Sequence, residues 1–150
     1  MNDQAAAKEA ESIARSLIAA YERKDYPGLM AIYSRDAVIE IPFNPLGGTA
    51  DSDIRRIRGE KELERFLVPG LAKMRTVRYD IEDISTAADG SRVFLEARGD
   101  FVTDEGKPYR NRYIFRLDIQ DGRVVLQKEY FNVATAIAVF GDWVLSQFEK

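Results

Sequence analysis

The chain has 150 residues, 22 of them Lys or Arg and 25 Asp or Glu, and it contains neither histidine nor cysteine. A formal charge of -3 provides no concentrated positive charge for a nucleic-acid footprint. The missing residue types exclude disulfides, thiolate nucleophiles, Cys/His metal sites and a histidine base. No acidic run of the EF-hand kind occurs, and neither Gly47-Gly48 nor the other glycines form a phosphate or dinucleotide fingerprint, so the reading carries no metal and no cofactor. An apolar share of 45% suffices for a sizeable core, and the length suits one domain over residues 1–150.

The polar first eleven residues lack a basic region leading into an apolar run. No signal peptide is expected, and the cytoplasm is the default location. Residues 5–23 carry apolar side chains at helical spacing (Ile13, Leu17, Tyr21, widened by Ala6, Ala10, Ala14 and Ile18) with Asn2 or Asp3 as cap. A short second helix follows Asp25, tolerates Pro27 in its first turn and turns Leu29, Ile32 and Tyr33 inward. Residues 37–41 read as an edge strand stopped by Pro42, and 44–53 as a loop. A third helix starts after Gly59, with Leu63, Phe66, Leu67 and Leu71 as its apolar face and Pro69 ending or kinking it.

Four long strands then alternate with turns. Residues 77–86, 92–103, 110–119 and 123–131 are separated by Asp89-Gly90, Glu105-Gly106 and Asp121-Gly122, which predicts an antiparallel meander. The segment 133–144 is too short to span a membrane and is interrupted by Gly141 and Asp142. Residues 133–150 are read as a C-terminal covering segment or tail. The expected fold is α+β, with helices packed in a curved antiparallel sheet around an apolar pocket.

Alternation nominates the residues facing that pocket. Asn111, Tyr113, Phe115 and Leu117 share one face, and the greater apolarity of that face turns it inward. On the last strand Gln127, Glu129 and Phe131 share a face, so an inward Phe131 carries Glu129 with it. A carboxyl in such a setting has a raised pKa suited to proton transfer near neutrality. The bland alternatives are an ion pair with Arg98 or a place at the sheet rim. Glu40, just before the Ile41-Pro42 stop, is a candidate second carboxylate, or else a solvated edge residue. Tyr21 and Tyr33 are core aromatics or phenolic donors to a substrate oxygen. The basic row Arg110, Arg112 and Arg116 lies on the opposite face and reads as solvated surface or as a subunit interface.

The blocks Tyr33-Ser34-Arg35-Asp36-Ala37-Val38-Ile39-Glu40-Ile41-Pro42, Arg58-Gly59-Glu60-Lys61-Glu62-Leu63, and Asn111-Arg112-Tyr113 through Glu129-Tyr130-Phe131-Asn132 resemble the nuclear transport factor 2-like superfamily. SnoaL-like and ketosteroid-isomerase-related proteins look most similar, and Gln127-Lys128-Glu129-Tyr130 also resembles the phenazine biosynthesis A/B family. The resemblance implies a cone-shaped fold, a homodimer formed through the outer sheet face, and Glu129 as an acid beside a bound intermediate. Where steroid isomerases carry an aspartate base before the proline, this chain has Ile41. Where they carry the tyrosine and protonated aspartate that hold the oxyanion, it has Leu17 and Tyr113. The phenazine family's pocket histidine has no counterpart around Phe66. Two functions are therefore expected of the chain. One is a metal-independent isomerase, cyclase or lyase of polyketide or other specialised metabolism, acting on an apolar small molecule. Its catalytic residues would be Glu129, Glu40 and Tyr113, with Asn111, Tyr21, Tyr33, Phe66, Phe115, Gln127 and Phe131 around the substrate. The alternative is a non-catalytic binding or carrier protein using the same pocket, without nucleic-acid or membrane partners in either case.

Overall fold

The computed structural model describes residues 2–149. Its strands are β1 (Tyr33–Ile41), β2 (Arg55–Arg58), β3 (Met74–Thr76), β4 (Tyr79–Thr86), β5 (Arg92–Thr103), β6 (Pro108–Gln120) and β7 (Arg123–Phe131). Its helices are α1 (Asp3–Glu22), α2 (Tyr26–Ile32), α3 (Gly59–Ala72), α4 (Val133–Phe140) and α5 (Asp142–Ser146). None of the helices described is long and apolar enough to cross a membrane.

Local chemistry accounts for the helix starts. Asn2 caps α1 by accepting the Ala5 backbone N–H at 2.9 Å, and Asp25 caps α2 through the Gly28 N–H at 3.0 Å. The buried side of α1 is Ala10, Ala14, Leu17 and Ile18, with Ile13 and Tyr21 packed beside them, which is the stripe that helical spacing predicts. In α3, Leu63 and Leu67 are buried. Pro69 does not end this helix, which continues to Ala72 and bonds Lys73 N–H to the Pro69 carbonyl at 3.1 Å. Arg65, whose carbonyl the proline leaves without its helical partner, is exposed, so water can replace the missing donor.

The sheet order is β2-β1-β7-β6-β5-β3, with β4 also pairing with β5. The meander β4 to β7 is antiparallel throughout, and the single parallel pairing is β1 with β7. The Asp121-Gly122 turn has positive φ at both residues (51° and 74°), the conformation that twists a two-residue hairpin correctly. Register shifts at Ile81/Asp83 and Asp118/Ile119 mark bulges, which bend the long strands and curve the sheet.

Three expectations require correction. The strand expected over 77–86 starts at Tyr79 as β4, and a separate short strand, β3, precedes it and also pairs with β5. β1 begins at Tyr33, earlier than Ala37, because Tyr33 already pairs with Val124. Most consequentially, β1 is not an edge strand. The arginine-rich β2 pairs antiparallel with it (Ile39 with Ile57, Glu40 with Arg56), and Ile57 is fully buried.

Helix α1 covers β4 and β5, α3 lies on β1 and β2, and α4 rests on β6. The core between them includes Leu17, Leu29, Leu63, Leu95 and Leu117, each at most 1% exposed. Each such side chain contributes about 1.5–3 kcal/mol by leaving water.

Candidate functional site

Between the concave sheet face and the helices lies a cavity of about 170 Å³. For scale, a cavity of about 150 Å³ admits one benzene ring. Its walls come from separate parts of the chain. Tyr21 enters from α1, Phe66 and Leu71 from α3, Tyr79 from β4, Tyr113 from β6, and Glu129 and Phe131 from β7. Helices α4 and α5 close one side with Ala136, Phe140, Trp143 and Val144, and Phe148 just beyond α5 adds to this wall. Gly141, at φ 53° and ψ -128°, makes the turn between these two helices, and Lys73 sits 5.3 Å over the Trp143 ring.

Strand parity delivers Glu129 to this cavity. Across the ladder it pairs with Phe115, while Gln127 pairs with Leu117 and Phe131 with Tyr113, all on the buried face of β6. Among the described residues Glu129 is the only charged side chain lining the cavity. It forms no hydrogen bond or ion pair with them, and burial alone raises its pKa from 4.5 to about 7. Arg98, the partner considered from sequence, is instead on the outer face with Asp80 and Glu82.

The phenols around it remain protonated. Desolvation raises the pKa values of Tyr21, Tyr79, Tyr109 and Tyr113, and the nearby Glu129 charge adds to each shift. Tyr33 and Gln127 are at most 1% exposed and stand behind the cavity wall. Tyr33 donates to Gln127 Oε1 at 2.6 Å, and its oxygen lies 2.5 Å from that of Tyr21. Phe115 likewise packs behind the wall, 5.6 Å from Tyr113 and 6.0 Å from Tyr79 between ring centres. Gly99 makes room for the Tyr113 ring, since a Cβ there would stand 2.7 Å from Tyr113 Cε2.

Glu40 and Asn111 are likewise outside the cavity lining. Glu40 pairs with Arg56 at 3.2 Å and Lys128 at 3.7 Å, on the face of β7 opposite Glu129. The unexpected β2 explains this, because it supplies Arg56 and makes β1 internal. Asn111 is buried but outside the cavity lining. Its Nδ2 donates to Tyr109 Oη at 2.8 Å and to the Asn132 carbonyl at 3.0 Å, and its Oδ1 accepts the Arg112 and Asn132 N–H groups. It thus fixes β6 to the start of α4, the structural role that buried amides commonly play.

Cavity residues not anticipated include Tyr79, Tyr109 and Phe101. Tyr109 shares the parity of Asn111 and Tyr113, so a strand begun at Pro108 would have exposed it. Tyr79 alternates with Ile81 in the same way.

Helices packed in a curved, open sheet form the cone of the nuclear transport factor 2-like fold. The SnoaL-like domain family profile matches residues 14–127, and the chain belongs to that family. The Bacillus subtilis (strain 168) protein YesE is 26% identical over 137 residues, covering 91% of this chain and 90% of that one. A crystal structure of a candidate isomerase from Bacillus subtilis superposes with a TM-score of 0.76 at 24% identity, covering 94% and 96% of the two chains. An M. tuberculosis LEH-like epoxide hydrolase has the same fold (TM-score 0.68, 19% identity, 95% and 92% coverage).

Proposed function

We propose that the protein is a metal-independent isomerase or cyclase for a neutral, apolar small molecule, with Glu129 as the proton-transfer group. The observation carrying this reading is a lone carboxyl, without counter-charge, whose pKa of about 7 lets it take and return a proton near neutrality. In the simplest cycle the carboxylate removes a proton from carbon next to a carbonyl. The C–H electron pair becomes a C=C bond, the carbonyl π pair moves onto oxygen, and the Glu129 carboxylic acid returns the proton to carbon. In a cyclase the same enolate carbon attacks a second carbonyl, and the acid protonates the new alkoxide.

The isomerase and epoxide hydrolase names of proteins with this fold support a small-molecule reaction without fixing which one. Polyketide or other specialised metabolism is the setting this chemistry suits. A carrier without turnover is the second reading, favoured by a cavity wall that is apolar apart from Glu129, the phenols, Gln147 and the Trp143 indole N–H.

Deuterium exchange into the α-carbons of small cyclic ketones, followed by NMR, tests the proposal. The wild type is expected to catalyse exchange and Glu129→Gln to lose it. Equal exchange in both proteins rejects Glu129, while saturable binding without exchange favours the carrier.

The proposal includes a homodimer built on the outer sheet face. There Phe94 and Ile114 are 44% and 40% exposed, and Phe43 packs edge-on against Tyr130. The pairs Arg112–Glu82 and Arg92–Asp118 supply charges of both signs to fix its register.

A further inference from the structure

A phenol has one hydrogen to donate, so each one already committed to a protein acceptor is unavailable to a ligand. Tyr33 gives its hydrogen to Gln127 Oε1 at 2.6 Å. The 2.5 Å contact between Tyr21 and Tyr33 therefore uses the hydrogen of Tyr21. Tyr113 donates to Tyr109 Oη, 3.4 Å away, and that oxygen also accepts from Asn111 Nδ2 at 2.8 Å. Among the phenols lining the cavity, two hydrogens remain. Tyr109 accepts twice and its own hydrogen has no acceptor, and Tyr79 makes no side-chain hydrogen bond with any described residue. Both residues line the cavity with Glu129.

Tyr79 is held in place without using its hydroxyl. Its ring packs edge-on against Phe101, Tyr113 and Phe115 at 5.1, 5.6 and 6.0 Å between centres, and its backbone N–H donates to Glu22 at 3.0 Å. A ring held by packing, with an unpartnered donor at the cavity wall, is ready for an acceptor that arrives with the ligand.

We propose that Tyr79 and Tyr109 are catalytic residues that together bind the carbonyl oxygen of a neutral, one-ring ketone or enone, a role the sequence assigned to Tyr113 or Asn111. This rests on Glu129 as the proton-transfer group, and it adds where the substrate oxygen sits and which class of substrate fits. As Glu129 removes the neighbouring proton, charge grows on that oxygen and the two phenols stabilise it. Both hydrogens stay on the phenols, because burial and the Glu129 charge oppose phenolate formation. Carboxylate ligands are disfavoured, since no cation lines the cavity among the described residues.

The probe is cyclohexanone labelled with ¹³C at the carbonyl, which accepts hydrogen bonds but donates none. Titration of the full-length protein gives a dissociation constant and the bound carbonyl shift, and exchange in D₂O gives the rate. The wild type should bind saturably and move the carbonyl signal downfield. Tyr79→Phe and Tyr109→Phe should each weaken binding about 3- to 10-fold and reverse part of that shift. Exchange in each should slow by about 100-fold or more, the usual effect of losing an oxyanion donor. Glu129→Gln should lose exchange while keeping the bound shift downfield. A folded Tyr79→Phe or Tyr109→Phe protein with unchanged affinity and carbonyl shift overturns the assignment for that residue. So does a wild type that shows no saturable binding. Exchange independent of Glu129 with tyrosine-dependent shifts would instead sink the proton-transfer reading and leave the two donors standing.

Discussion

Replacing Glu129 by Gln should reshape the dependence of stability on pH. The carboxyl has a pKa of about 7 in the folded protein and about 4.5 once the chain unfolds into water. Between these values the folded state holds a proton that the unfolded state has lost, so this group lowers unfolding free energy as pH rises. Its stabilising share is intact below pH 4.5, declines through the window from 4.5 to about 7 and is gone above it. Over that window the displacement is worth about 3 kcal/mol. Glutamine has nearly the same shape and does not titrate. Urea denaturation of both proteins from pH 4 to pH 8 reports the difference, which should move in favour of Glu129→Gln by about 3 kcal/mol. A difference constant with pH to within about 0.5 kcal/mol would refute the raised pKa and the buried, unpaired state from which it follows.

The same titration sets activity: with carboxylate as base, exchange should rise through pH 7 and level off, and the rise should be absent in Glu129→Gln. A pH–rate profile that falls over this range assigns the rate-limiting role to the acid form. Gln127→Leu removes the acceptor of Tyr33 in a site at most 1% exposed, and should cost about 1–3 kcal/mol in a urea melt at constant pH. Gly141→Ala places a side chain at φ 53° and ψ -128°, with an expected cost of about 1–3 kcal/mol. Because Gly141 joins the covering helices, cyclohexanone titrations of that variant should also show weaker binding; unchanged stability and affinity would remove the turn from the account. Sedimentation should show a dimer at micromolar concentration that Ile114→Glu converts to monomer, and a wild-type monomer throughout would dispose of the proposed interface.

Alternation was the informative part of the sequence. It put Asn111, Tyr113, Phe115 and Leu117 on the buried face of β6 and turned Glu129 to the cavity side of β7, because a long strand with one buried face has only two choices. What alternation cannot give is the state of hydrogen bonds on the chosen face. Asn111 and Tyr113 looked like free donors, yet one ties β6 to Asn132 and the other donates to Tyr109. β2 was obscured for a different reason. Its four residues include three arginines, and only pairing with β1 buries Ile57 and makes the segment a strand.

That short strand decides how many carboxylates face the cavity. Parallel pairing sets Glu40 beside Lys128, one residue out of phase with Glu129, so the sheet itself separates the two acids. Arg56 then completes the ion pairing of Glu40 from the other side. Among the described residues, a coupled carboxylate dyad with one member held protonated by its neighbour is therefore absent from the cavity. Opening an epoxide with water needs a base for the water and an acid for the departing oxygen, and ordinarily two groups of different proton affinity. Moving a hydrogen from one carbon to another needs one group that accepts a proton and gives it back. A lone carboxyl with a pKa of about 7, surrounded by phenols that keep their protons, suits the second task better than the first. With Glu129 as the proposed proton-transfer group, isomerisation or aldol-type cyclisation is the expected chemistry rather than hydrolysis.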